Sequence, residues 1–261
     1  MIFYRTILSA LCVGLLAGLI LSATQMAAVT PIIIEAESFE QEQTPLSQAP
    51  LSHGAHDHSG HSHGDSDGHH HSPDAWAPDD GLERTLYTVF ANVLASIGFA
   101  AVLLAIMSQL QLQGFTRLSP VKGVLWGAAG FIVFFVAPSI GLPPEIPGAE
   151  AAPLGERQSW WTLSVVCVGA GLLIIAFTPL KYKLTGLIAI AIPYVVYIPR
   201  HEGAVFTHSD PAAVVSLTEL HHQFIIASGI SNLIFWLALG FISALFLKHW
   251  VHKDIPLNTR P

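Results

Sequence analysis

No charged residue interrupts the chain between Arg5 and Glu35. A stretch this long and this apolar is hydrophobic on every face of a helix, and crossing a bilayer needs only about 20 such residues. Taking residues 7–29 as the first run, five more approach that length: 85–112, 123–142, 160–180, 184–198 and 224–247. The run 184–198 is short and carries Pro193, so the count is six crossings, or five if this one does not span. Composition points the same way, because 52% hydrophobic against 11% charged residues lies well outside soluble-domain usage. The expected fold class is all-α, a polytopic membrane helical bundle with six predicted transmembrane helices.

A secretory signal has an apolar region of about 7–15 residues, so the longer first run reads as a retained anchor. Cys12 and Cys167 both lie inside apolar runs, where a free thiol packs as a small hydrophobe, and no disulfide framework follows. Basic residues accumulate on the cytoplasmic side of short loops. With the amino terminus inside and six alternating spans, Arg5, Arg117, Lys122, Lys181, Lys183, Lys248, Lys253 and Arg260 fall inside, against Arg84, Arg157 and Arg200 outside. The same arrangement puts every carboxylate except Asp254 on the outer face, where the resulting negative potential concentrates cations. Both termini are therefore expected in the cytoplasm of a cell whose plasma (bacterial inner) membrane holds the bundle.

The division is residues 1–30 as first transmembrane helix, 31–82 as outer loop, 83–247 as a five-helix bundle and 248–261 as a cytoplasmic tail. The outer loop opens with Glu35, Glu37, Glu40 and Glu42, passes Pro45 and Pro50, and reaches a stretch holding eight of the fourteen histidines. These are His53, His56, His58, His61, His63, His69, His70 and His71, with Asp57, Asp65 and Asp67 between them. Neutral imidazole is the commonest ligand for late divalent metals, and a polar linker has no need of it. Without cysteines or fixed spacing, the loop is expected to be disordered without metal and to bind several ions in fast exchange.

Elsewhere the spans carry few polar groups. Asn92, Gln25, Asn232, Thr178 and Tyr194 are available, and bridging hydrogen bonds between helices are the first expectation for Asn92 and Asn232. Ala10, Gly14, Gly18 and Ser22 form a small-residue stripe, as do Gly123 and Gly127, which predicts close helix contact within the bundle. Asp80 with Glu83, and Ser216 with Glu219, have the spacing that caps a helix. Asp210-Pro211 reads as the start of a short interfacial helix, and Trp160-Trp161 as headgroup-level anchors behind a stiff Pro143-Pro144-Glu145-Ile146-Pro147 segment. Candidate ligands at the outer mouth are Glu83, Glu219 and His222, with Glu145, Glu156, His201, Glu202, His208, Asp210 and His221 nearby. Glu219 and His222 stand three apart, on one helical face, and pair a carboxylate with an imidazole as a borderline divalent ion prefers.

No Walker A sequence, dinucleotide glycine pattern, H-E-x-x-H or nucleophile elbow occurs. Nothing in the chain suggests an enzyme or a nucleic-acid partner.

The ordered set Trp76-Ala77-Pro78, Gly81-Leu82-Glu83-Arg84-Thr85, Pro143-Pro144-Glu145-Ile146-Pro147-Gly148, Arg157-Gln158-Ser159-Trp160-Trp161 and Glu219 through Phe235-Trp236, behind a histidine-rich outer loop, closely resembles the CbtA family. That family is described as proposed cobalt transporter subunits. The resemblance implies uptake of Co2+ linked to cobalamin synthesis, beside a small one-span, histidine-bearing membrane partner of CbtB type. Selectivity cannot reside in the loop, because imidazole sites bind copper and generally nickel more tightly than cobalt. Two alternatives stay open: an importer for Ni2+ or Zn2+ with the same anatomy, and a membrane-anchored metal buffer or sensor that moves nothing.

Overall fold

The computed structural model describes residues 2–43, 78 and 81–253. The histidine stretch 53–71 lies outside the described residues. Among the described residues seven helices form: α1 (Ile2–Ala28), α2 (Thr30–Gln43), α3 (Leu82–Leu112), α4 (Pro120–Ser139), α5 (Leu154–Phe177), α6 (Leu180–Val196) and α7 (Pro211–Val251). Five of them, α1, α3, α4, α5 and α7, are long and apolar enough to cross a membrane. The sixth candidate, α6, has 17 residues and so extends about 26 Å, somewhat short of a ~30 Å hydrocarbon core. It nonetheless runs antiparallel to α5 along most of that helix. The glycines Gly171 and Gly186 face each other near one end, and the Trp160 indole donates to the Pro193 carbonyl at 3.3 Å near the other.

Counting α2 as the continuation of α1, the helices α1, α3, α4, α5, α6 and α7 alternate in direction, which leaves the first and last described residues at one end of the bundle. Arg5 donates to the Trp250 carbonyl at 3.2 Å, joining the start of α1 to the finish of α7. His252, just beyond α7, lies between Ser108 and Gln111 at the finish of α3. This is the termini end. The opposite, distal end holds α2, the start of α3 and the proline-rich segment.

The core is a three-helix seam of α1, α3 and α7, built from Val13, Ala17, Leu104, Met107, Phe235 and Leu239. In lipid, apolar side chains gain nothing by leaving water, so helix association depends on close packing and internal hydrogen bonds. Gly14 and Gly18 supply the closeness. A Cβ on Gly18 would lie 2.7 Å from the Val93 Cα, and one on Gly14 would overlap the backbone of Ile97. The second small-residue pair does the same against α7, with a Cβ on Gly123 falling 2.6 Å from the Gly240 carbonyl oxygen. Both stripes thus pack within the chain's own bundle, as expected.

Local chemistry sets where helices bend and begin. Pro31 has no amide hydrogen, and the break between α1 and α2 falls just before it. Pro138 leaves the carbonyl four residues back without a donor, and a π turn at Ile132–Val136 absorbs the mismatch. Asp210 caps α7, its carboxylate accepting from the Ala212 amide at 2.9 Å, with Pro211 in the first turn.

Several expectations need correction here. The acidic opening of the outer loop is helical, not disordered: Ile32, Ala36 and Phe39 form one apolar face of α2, and Ala36 is fully buried. Asp210-Pro211 opens α7 itself rather than a separate short helix, so Ser216 and Glu219 lie inside α7 and cap nothing. At 41 residues α7 is about 60 Å long, twice the hydrocarbon thickness. A helix of that length cannot lie wholly within the hydrocarbon, and because its apolar run begins only near Phe224, the polar first three turns are the part suited to protrude. Trp160 is 3% exposed within the bundle, whereas its neighbour Trp161 keeps an exposed face. Asn232 donates to the Ser228 carbonyl of its own helix and bridges nothing. Asn92 does bridge, donating to Gln25 Oε1 at 2.7 Å and to Ser22 Oγ at 3.2 Å on α1.

Candidate functional site

The distal end is a cap folded over the helix ends. Ala36 of α2, Ile146 of the proline-rich segment, Phe206, and Leu217 and Leu220 of α7 form a small buried cluster. The Glu150 amide donates to the Val205 carbonyl at 2.8 Å, which ties the two long connections together beside the Ala149–Phe206 bridge. This packing holds the cap's polar side chains in fixed positions.

Two ion pairs fasten its edges. Arg84 at the start of α3 donates to Glu37 of α2 at 2.8 Å. The connection between α2 and α3, which contains the histidine stretch, therefore leaves and returns at the distal end. Arg157 of α5 pairs with Glu145 of the proline-rich segment at 2.8 Å. A cavity of about 590 Å³ opens beside this second pair, lined also by Phe135, Pro144, Gln158 and Trp161. The Tyr197 hydroxyl donates to Glu156 at 2.7 Å. That hydrogen bond, followed by burial and by the charges of Glu156 and Glu202, raises the tyrosine pKa above its ordinary value, so the phenol remains a proton donor.

The outer-mouth candidates divide by what they touch. Glu145 and Glu156 are engaged as described. His221 is half-buried, with Nε2 3.0 Å from the Pro144 carbonyl oxygen and its ring edge-on to Phe206, so it anchors the proline-rich segment to α7. Asp210 is the α7 cap, and its amide donates to Nδ1 of His208 at 2.9 Å. His201 and Glu202 are exposed. Glu83 sits in the first turn of α3, where its carboxylate complements the helix dipole.

Glu219 and His222 differ from the rest. Both are exposed on the protruding turns of α7, and the carboxylate's hydrogen bond is from Gln223 at 3.2 Å. With capping ruled out, neither carries a structural duty comparable to that of His221. No group of three or more His, Cys, Asp or Glu among the described residues is arranged to hold a metal ion. Glu83 is thus not brought together with Glu219 and His222 into one preformed ligand set.

Sequence reasoning missed the pairs Glu37–Arg84 and Glu145–Arg157. It also missed the triad at the termini end, where buried His252 lies 2.8 Å from Ser108 Oγ and 3.0 Å from Gln111 Oε1. The partners stand 12 apart in Glu145–Arg157 and 47 or more apart in the others, and no local pattern announces them.

Fold and cap together define a polytopic helical membrane protein whose described acidic side chains, with His201, His208, His221 and His222, gather at one end, with no charged side chain in the middle of its spans. The chain belongs to the CbtA family, described as probable cobalt transporter subunits, whose family model matches residues 3–248. No curated protein and no solved structure matches it.

Proposed function

We propose that this chain is the membrane subunit of a Co2+ importer, in which the histidine stretch gathers the ion and the distal cap passes it to the bundle. The family match over residues 3–248 is the observation that carries this reading. Its geometry is consistent with a tethered collector. Glu37 and Arg84 hold both roots of the connection at the cap, and His71 is only twelve residues from Glu83, a reach of at most about 40 Å. On this reading His53, His56, His58, His61, His63, His69, His70 and His71 bind in exchange, and Glu219 and His222 form the receiving ligands, with Glu83 the next candidate.

Orientation follows from charge. Arg5, Arg117, Lys122, Lys181, Lys183 and Lys248 belong to the termini end, which makes that end cytoplasmic and the cap periplasmic or extracellular in a bacterial inner membrane. A small one-span, histidine-bearing partner of CbtB type completes the importer, and its product serves cobalamin synthesis. Ni2+ and Zn2+ fit the same donors. The second reading is a membrane-anchored metal buffer or sensor, and the observation that favours it is the lack of a three-ligand cluster among the described residues. Uptake of radioactive cobalt into sealed vesicles carrying this chain, with and without the small partner, separates the two. Accumulation inside the vesicles supports transport, and surface binding alone in both preparations rejects it.

A further inference from the structure

The bundle is closed where α4 meets α7 and open where α4 meets α5. Between α3, α4 and α5 lies a cavity of about 750 Å³, within the range of small-molecule sites. Small residues, Ala128, Ala129, Ala176, Gly130 and Gly169, make room among the larger apolar side chains that line it, and Val102, Leu125 and Leu173 of the lining are exposed. A Cβ on Gly169 would meet only Val133, at an ordinary 3.6 Å. Water has almost no hydrogen-bonding partner in such a lining and would not fill it. Another chain's helix is too thick: at about 10 Å across it would exhaust this volume within roughly two turns.

Toward the termini end Trp126 stacks on Phe177 at 5.9 Å, and Thr116 and Lys122 belong to the lining there. Arg117 lies in the connection leading into α4, and Lys181 and Lys183 follow just after α5, while residues 113–122 and 178–183 hold no carboxylate. Lys122 is exposed, in the first turn of a helix capped by Ser119, so the helix dipole adds to its positive charge. A slender apolar cleft inside the hydrocarbon, ending at a basic mouth, complements one kind of molecule in shape and charge.

We propose that this cleft is a binding site for an anionic phospholipid of the leaflet on the termini side, one acyl chain lying between α4 and α5 and the phosphate resting against Lys122. The site is independent of which ion, if any, the protein carries. To test it, the full-length protein is extracted in mild detergent from vesicles of equal phosphatidylglycerol and phosphatidylethanolamine, and the retained lipid is identified by mass spectrometry. The wild type should retain phosphatidylglycerol about fivefold over phosphatidylethanolamine, the preference expected of one well-placed lysine. Lys122→Gln should bring that ratio close to one. Gly169→Leu should reduce retention of both lipids, with an unchanged melting temperature showing that the bundle is intact. Equal retention of the two lipids by the wild type, or retention that neither substitution alters, would overturn the proposal. So would a copurifying polypeptide that Gly169→Leu displaces.

Discussion

The α1–α3–α7 seam and the distal cap are built from opposite materials. In the seam, glycines bring backbones into contact, and the bridging cluster at its middle and distal part, Asn92 with Ser22 and Gln25, satisfies itself. In the cap, carboxylates meet arginines at a wet surface, and Glu219 and His222 are left facing outward. Hydrogen bonds between transmembrane helices average only about 0.6 kcal/mol, so the Asn92 cluster specifies register more than it adds stability. Steric fit therefore holds the seam, and on the proposed function the exposed Glu219 and His222 of the cap are the groups available to an ion. Changes in the seam should cost stability, and changes in the cap should cost function at constant stability.

The largest effect is expected from Gly14→Leu. The new side chain meets the Ile97 backbone, which no rotamer change can avoid, and overpacking of this kind costs about 1–3 kcal/mol or more. Gly98→Leu is the control, because nothing lies within 4 Å of a Cβ there. Thermal melting in detergent should show a large drop for the first and little change for the second. Equal drops would break the account of the seam.

Next comes the pair Glu219→Gln and His222→Ala. Each should lower cobalt uptake at saturating metal by about tenfold or more, since even an indirect partner of a metal ligand contributes that much. Melting temperatures should not move, because neither residue caps a helix or fills the core. Normal saturated uptake by both would shift the receiving site toward Glu83, Glu145 being already committed to Arg157.

A smaller, conditional effect is expected from deleting residues 53–71. Uptake should weaken when cobalt is scarce and stay close to normal when it is plentiful. Loss at every concentration would mean that the histidines belong to the translocation step itself. Metal bound by the isolated 53–71 peptide should fall away by about pH 5, since protons compete for imidazoles of ordinary pKa about 6.5. Binding that held steady to that pH would assign the ion to Asp57, Asp65 and Asp67.

Most of the fold was legible because bilayer physics writes long signals: the apolar runs gave the spans, and the glycine stripes gave two places of close helix contact, though not the partner helices. What escaped was set by contacts distant in sequence. Ile32, Ala36 and Phe39 have a helical spacing, but among four glutamates they look like part of a polar linker until Leu217 and Leu220 cover them. Glu219 has the local pattern of a cap, yet Asp210-Pro211 starts the helix two turns earlier, and hydropathy does not register turns that stand outside the membrane. The candidate site was legible only as a list of residue types. Nothing in the sequence said that His221 would be claimed by the Pro144 carbonyl while His222 was left outside.

The smallest expected effect places a titratable group where the seam ends. His252 is 4% exposed, with Ser108 and Gln111 of α3 at its two ring nitrogens and Arg5 of α1 nearby on the Trp250 carbonyl. Burial lowers its pKa below the ordinary 6.5, so the folded protein takes up its proton less readily than the unfolded chain does. Above about pH 6.5 the imidazole is neutral in both states and contributes no pH dependence. As pH falls through 6.5 toward the lower folded value, the unfolded state binds more protons, and stability declines. His252→Gln keeps an amide able to reach Ser108 and Gln111 but does not titrate. Melting temperature followed from pH 7.5 to 5.5 should therefore fall more steeply in the wild type than in the variant. Parallel curves would show that His252 opens to solvent before the bundle melts, and that the termini end is looser than the seam it closes.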